Sequence, residues 1–120
     1  MSKVKEFLNT AWRWQNGRQQ SGYDKMLLLW GIFPYPFDVY LIRYRLGSYI
    51  KPHVDEVKSG RHYRLNIVLK QSKDGGDFVC SNCIINTKRI KLFRPDINEH
   101  SVTEVKSGKR YILSIGWIRK

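Results

Sequence analysis

The chain has 120 residues, 42% of them hydrophobic and 13% aromatic, which is enough for one compact core and too little for two ordinary domains. That content, with no repetitive tract, argues against disorder over most of the length. Lysine and arginine number 22 against 10 acidic residues, a formal charge of +12 spread from Lys3 to Lys120; it favours polyanions without choosing between nucleic acid, acidic protein and anionic metabolite.

In chain order, Val4, Phe7, Leu8, Ala11 and Trp12 recur at helical spacing, so an amphipathic helix is expected over 4–14. Charges interrupt this start, so it has no apolar core of the kind an export signal needs, and a cytoplasmic location is expected. QNGRQQSG, from Gln15 to Gly22, reads as an exposed loop. A second short helix is expected from Tyr23 toward Trp30, ended by Pro34 and Pro36. The apolar run from Met26 to Phe37 is shorter than the roughly 20 residues of a membrane helix, so no membrane partner is expected.

From Asp38 the texture becomes short runs rich in Val, Ile, Tyr and Phe. Strands are expected at DVYLIRYRL, SYIKPHVD, HYRLNIVLK, GDFVCS, CIINTKRIKLF, HSVTEV and KRYILSIGWI, with turns at KSG, KDGG, RPDINE and KSGK. With no helical crossover between them, they predict a mainly β fold, an antiparallel sandwich or double-sheet jelly roll. Residues 1–37 then form a helical and loop segment with one or two helices packing on a 38–120 core, all in one domain. Cys80 and Cys83, as CSNC, are half of a zinc site at most. Free thiols are the first expectation, with a shared zinc or a redox disulfide left open, and the pair is assigned no function.

Two residues on one face of a strand lie about 7 Å apart, so His53 and Asp55 in KPHVDE point the same way. Alone, this is a weak signal and reads better as a solvated polar face. His100, opening HSVTEVKSGKRYILSIGW, changes that: two imidazoles and one carboxylate on a rigid sheet make a facial triad, leaving positions on a non-haem Fe(II) for a chelating cosubstrate and dioxygen. Further along, alternation puts Arg110, Ile112, Ser114 and Gly116 on one face, and a guanidinium can grip a carboxylate through two parallel hydrogen bonds.

Together, the H-x-D at 53–55, GGDF at 75–78, KLFRPDINEHSV at 91–102 and VKSGKRYILSIGW at 105–117 resemble the Fe(II)- and 2-oxoglutarate-dependent oxygenases. The prolyl-hydroxylase-like branch, with its H-x-V-x-x-V-x-x-G-x-R segment, is the nearest match. The resemblance runs from about Asp38 to Trp117 and implies a double-stranded β-helix. It also implies iron on His53, Asp55 and His100, and the distal carboxylate of 2-oxoglutarate on Arg110. Tyr44 falls where that branch often places a cosubstrate-contacting tyrosine, though an ordinary core aromatic fits it as well. The resemblance turns the face carrying Arg64, Asn66 and Val68 into the barrel, making Asn66 a candidate for the cosubstrate and Arg64 for the substrate, with structural roles equally open.

The implied activity is hydroxylation, with 2-oxoglutarate and dioxygen consumed. The implied acceptor is a protein side chain, with a nucleobase or nucleic acid as the alternative; a basic jelly-roll binding module with a vestigial iron site is the reading of another class. Few residues lie outside the expected core to recognise an acceptor. The basic and aromatic mixture around Trp12, Arg18 and Tyr23 is the material at hand, and Arg18 and Tyr23 are candidate acceptor contacts. The oligomeric state is left open.

Overall fold

The structure, a computed structural model, describes residues 14–16 and 22–119. Twelve strands follow in order: β1 Gln15–Asn16, β2 Tyr23–Gly31, β3 Phe37–Tyr44, β4 Ile50–His53, β5 Arg61–Lys70, β6 Asp74–Gly75, β7 Phe78–Cys80, β8 Ile85–Asn86, β9 Ile90–Phe93, β10 His100–Val102, β11 Val105–Ser107 and β12 Arg110–Arg119. The major sheet runs β1-β2-β3-β12-β5-β9-β8, with β4-β10-β7 and β11-β6 as smaller sheets. All pairings are antiparallel, and the whole is a jelly roll, the double-stranded β-helix that the sequence predicts.

The expected strands over 38–118 form, with two refinements. CIINTKRIKLF folds back at Thr87 to make β8 and β9, and HSVTEV is broken between β10 and β11. In the KSGK turn, Gly108 sits at φ +82, a left-handed backbone that side chains disfavour.

Two expectations are corrected. Where a second helix is expected near Tyr23–Trp30, β2 lies instead, pairing with β3 from Tyr23↔Tyr44 to Gly31↔Phe37. A short apolar run of this kind carries no periodicity that separates a buried helix from a strand, and an edge of β3 is there to receive it. The expected helix over 4–14 lies outside the described residues, apart from Trp14, which is in no regular element. Cys80 and Cys83, expected as free thiols, are joined in a disulfide with Cα atoms 5.8 Å apart. The turn between them closes through Asn82 at φ 60, a conformation asparagine tolerates better than most residues.

Alternation decides what fills the space between the sheets. Tyr23, Tyr44, Val68, Val102, Val105 and Ile112 form its buried apolar cluster, with Ile42, Ile50 and Phe78 packed against it. This cluster closes one end of the sandwich, while the inward polar residues of β3, β5 and β12 continue past it and line an open cleft. No helix among the described residues is long and apolar enough to cross a membrane.

Candidate metal and cosubstrate site

His53 ends β4 and His100 begins β10, and the two are directly paired across the strands, so their rings meet at 4.3 Å between centroids. Asp55 lies just past β4, where its backbone N–H donates to the Pro95 carbonyl at 2.6 Å. Its carboxylate faces both imidazoles, Oδ1 at 3.6 Å from His53 Nε2 and Oδ2 at 3.4 Å from His100 Nε2. The three ligand atoms lie within 4.8 Å of one another.

The donor set fits a divalent metal on two further counts. His53 Nδ1 is 2.7 Å from the Lys51 carbonyl and His100 Nδ1 is 2.9 Å from the Asn98 carbonyl. A carbonyl only accepts, so each Nδ1 carries the proton and each Nε2 presents its lone pair to the shared space, the usual orientation of a metal-binding imidazole. The 94–99 loop builds this arrangement. Asn98 Oδ1 accepts from the Arg94 N–H at 2.8 Å and the Asn98 N–H donates to the Arg94 carbonyl at 2.7 Å, so one tight turn fixes the carbonyls that hold His100 and Asp55. Two imidazoles and a carboxylate leave open coordination positions, as an oxygen-activating Fe(II) requires. A structural zinc wants a fourth protein ligand, and the described residues supply no other His, Cys or acidic group to this cluster.

The cleft beside the triad has a volume of about 300 Å³, and Tyr23, Tyr44, Arg64, Asn66 and Arg110 line it with the three ligands. At its deep end Arg110 is 3% exposed. It sits opposite Tyr44 in the β12–β3 register, its guanidinium 5.1 Å from that ring centroid, and its Nε donates to Gln71 Oε1 at 3.2 Å. None of the ion pairs among the described residues involves Arg110. Burial pulls its pKa below the ordinary value, against the pull of Tyr44 and Asp77. The Tyr44 hydroxyl is pushed up to about 12 by burial, with Arg110 moderating the rise, so it remains a neutral donor at physiological pH. Tyr23 stacks on Tyr44 at 5.5 Å, which puts it at the deep end. Arg18 lies outside the described residues.

Toward the mouth a second guanidinium is wired differently. Arg64 donates from Nη1 to Ser114 Oγ and from Nη2 to Asp38 Oδ1, both at 2.8 Å. Ser114 Oγ in turn donates to Asn66 Oδ1 at 2.6 Å. Asp38 and Ser114 carry no motif, so sequence reading passes over both as partners; the signal for Ser114 is its inward position between Arg110 and Gly116.

A family model described as the 2OG-Fe(II) oxygenase superfamily matches residues 39–119. A PKHD-type hydroxylase of Prochlorococcus marinus (strain NATL1A) is 31% identical over 86 residues, 66% of this chain and 38% of that protein. The chain thus spans about two fifths of that relative's length. Among solved structures, a prolyl-4-hydroxylase of Pseudomonas putida has a TM-score of 0.69 at 13% identity, over 99% of this chain and 83% of that one. KdgF from a Halomonas species has a TM-score of 0.60 at 13% identity, over 89% and 86%. At such identities these structures speak for the fold alone.

Proposed function

Because the chain belongs to the 2OG-Fe(II) oxygenase superfamily, whose model matches more than half of its length, we propose that it hydroxylates a protein side chain at the expense of 2-oxoglutarate and dioxygen. Iron held by His53, Asp55 and His100 supplies dioxygen activation coupled to decarboxylation of 2-oxoglutarate, one oxygen atom ending in succinate and the other in the acceptor hydroxyl.

The chain's own residues bind and orient. His53 and His100 offer Nε2 while their Nδ1–H groups donate to backbone carbonyls, and Phe93 and Phe78 pack at 5.0 and 6.5 Å from the His100 ring. Arg110 takes the distal carboxylate of 2-oxoglutarate, with the neutral Tyr44 hydroxyl as a further donor and Gln71 holding the guanidinium in place. Asn66, locked by Ser114, borders the cosubstrate.

The single observation that carries this reading is a buried cation with no anionic partner among the described ion pairs, in the same cleft as a metal-ready His–Asp–His cluster. The test supplies the full chain with Fe(II), 2-oxoglutarate and air, then measures succinate and looks by mass spectrometry for one added oxygen atom on peptides or oligonucleotides. Oxygen on a peptide supports the proposal. Oxygen on an oligonucleotide supports the second reading, which the charge of +12 favours. Iron binding without succinate under any condition would leave a basic jelly-roll binding module.

A further inference from the structure

One pair of side chains beside the metal site has so far been given no part in it. Cys80 ends β7 and His100 begins β10 directly opposite, so the register sets His53, His100 and Cys80 side by side in one row across β4, β10 and β7. Residues directly opposite in an antiparallel pair share a face, with Cβ atoms about 5 Å apart. The disulfide from Cys80 to Cys83 therefore closes beside the strand end that carries a metal ligand.

The loop inside the disulfide holds the residue before that ligand. Ser81 donates to the Glu99 carbonyl from its N–H at 3.1 Å and from Oγ at 3.5 Å. Glu99 lies between His100 and Asn98, whose carbonyl accepts from His100 Nδ1–H. β7 and β10 have three residues each, and the ends of strands so short fray unless something ties them. The disulfide ties this one.

Its setting suits a bond that opens and closes. A disulfide's hold on the unfolded chain grows with the loop it closes, and these cysteines are three positions apart, so the bond adds little as a global staple. Ser81 and Asn82 are exposed and both cysteines half-buried, which leaves the loop open to a thiolate from solution.

Resting on the metal assignment above, we infer that Cys80 and Cys83 are a redox-modification site that governs iron retention: the disulfide holds His100 in place, and reduction loosens it. An external dithiol supplies the two electrons and two protons. Its thiolate attacks one sulfur, the S–S bond opens through a mixed disulfide, and the chain keeps two thiols while the dithiol becomes a disulfide. The cysteines act by positioning His100, which remains the ligand.

The experiment uses the full chain under argon with Mn(II) as the probe, a divalent ion that soft thiolates bind poorly, its unbound fraction read by electron paramagnetic resonance. Oxidised protein is compared with protein reduced by a dithiol and desalted, and a chromogenic reagent counts the thiols in each. Reduction is expected to weaken Mn(II) binding about tenfold, and oxidised glutathione to restore it. Cys80→Ser/Cys83→Ser, checked for its fold by circular dichroism, is expected to bind at the reduced level whatever the treatment. Coupling is reciprocal, so saturating Mn(II) should make the pair about tenfold harder to reduce in glutathione buffers, a shift of about 30 mV. A merely structural cross-link would lower the thermal midpoint on reduction and leave both of these readings unmoved. Equal Mn(II) affinity in the oxidised and reduced proteins overturns the inference, as does a pair that stays as thiols in oxidised glutathione. A protein that binds neither Mn(II) nor Fe(II) in either state removes the metal assignment itself, and the inference with it.

Discussion

Two guanidinia project into the same cleft from adjacent strands, and their surroundings differ in one respect that sorts their roles. Arg64 has its counter-ion in place, Asp38 at 2.8 Å, and its other donors are spoken for by Ser114 and approached by His62. Arg110 is more deeply buried and has a neutral amide and a phenol instead, with the carboxylate of Asp77 acting on it from beyond ion-pair distance. Taking a charge out of water costs several kcal/mol unless a partner compensates. On the function proposed above, a fold that tolerates this at Arg110 while neutralising Arg64 keeps the first cation for an incoming anion and uses the second as fixed architecture.

The largest expected effect falls on the metal cluster in the same cleft. His100→Ala should abolish retention of Fe(II), measured as bound metal after desalting, while the circular dichroism spectrum stays that of a β protein. Retained metal would remove the triad from the account.

Next come the two arginines, replaced by a neutral side chain of similar length. Arg64→Met leaves Asp38 half-buried without its partner and should lower unfolding free energy by about 1–3 kcal/mol in urea titration. Arg110→Met removes a buried cation that has no ion pair among the described residues and should leave the ligand-free protein unchanged or up to about 1 kcal/mol more stable. Equal losses in both would erase the distinction.

Much of this arrangement is legible in the sequence because strand alternation is a short-range rule. It puts Arg110, Ile112, Ser114 and Gly116 on one face and Arg64, Asn66 and Val68 on another, and the register of β12 with β5 brings the two rows together. What alternation cannot supply is the partner from a third strand. Asp38 reaches Arg64 only because β3 lies on the far side of β12 and Gly116 leaves the crossing open, a consequence of sheet order that no local pattern encodes. A glycine inside a strand is nevertheless a sign of close approach, and at position 116 that sign is readable. The stretch from Tyr23 toward Trp30 is misread as helix for a related reason: its choice of strand is made by the edge of β3.

Tyr44 offers a smaller, pH-dependent test of the deep end. Its hydroxyl titrates near 10.0 in the unfolded chain and at about 12 in the fold. Between those values the unfolded state binds fewer protons than the native state, so stability should fall as pH rises through the window, by about 3 kcal/mol in all. Tyr44→Phe should flatten that part of the curve measured by denaturant titration.

Smallest is the effect of salt on acceptor affinity. The neutralised mouth predicts almost no slope for a neutral peptide between about 50 and 200 mM, whereas a nucleic acid would lose affinity steeply as counterions compete for its phosphates.

The central claim is that Arg110 is held without an ion-pair partner among the described residues, for the distal carboxylate of 2-oxoglutarate. Anaerobic calorimetry on the Fe(II)-loaded protein, comparing 2-oxoglutarate with 2-oxopentanoate, isolates that carboxylate, since the two acids share the chelating end and chain length. The wild-type protein should prefer the dicarboxylate by about 2 kcal/mol or more, roughly thirtyfold, for a charge-assisted pair in a buried setting. In Arg110→Ala the preference should shrink to a few-fold, with lysine restoring part of it. A variant that keeps the full wild-type preference would contradict the claim and move the carboxylate to another cation of the cleft, Arg64 first.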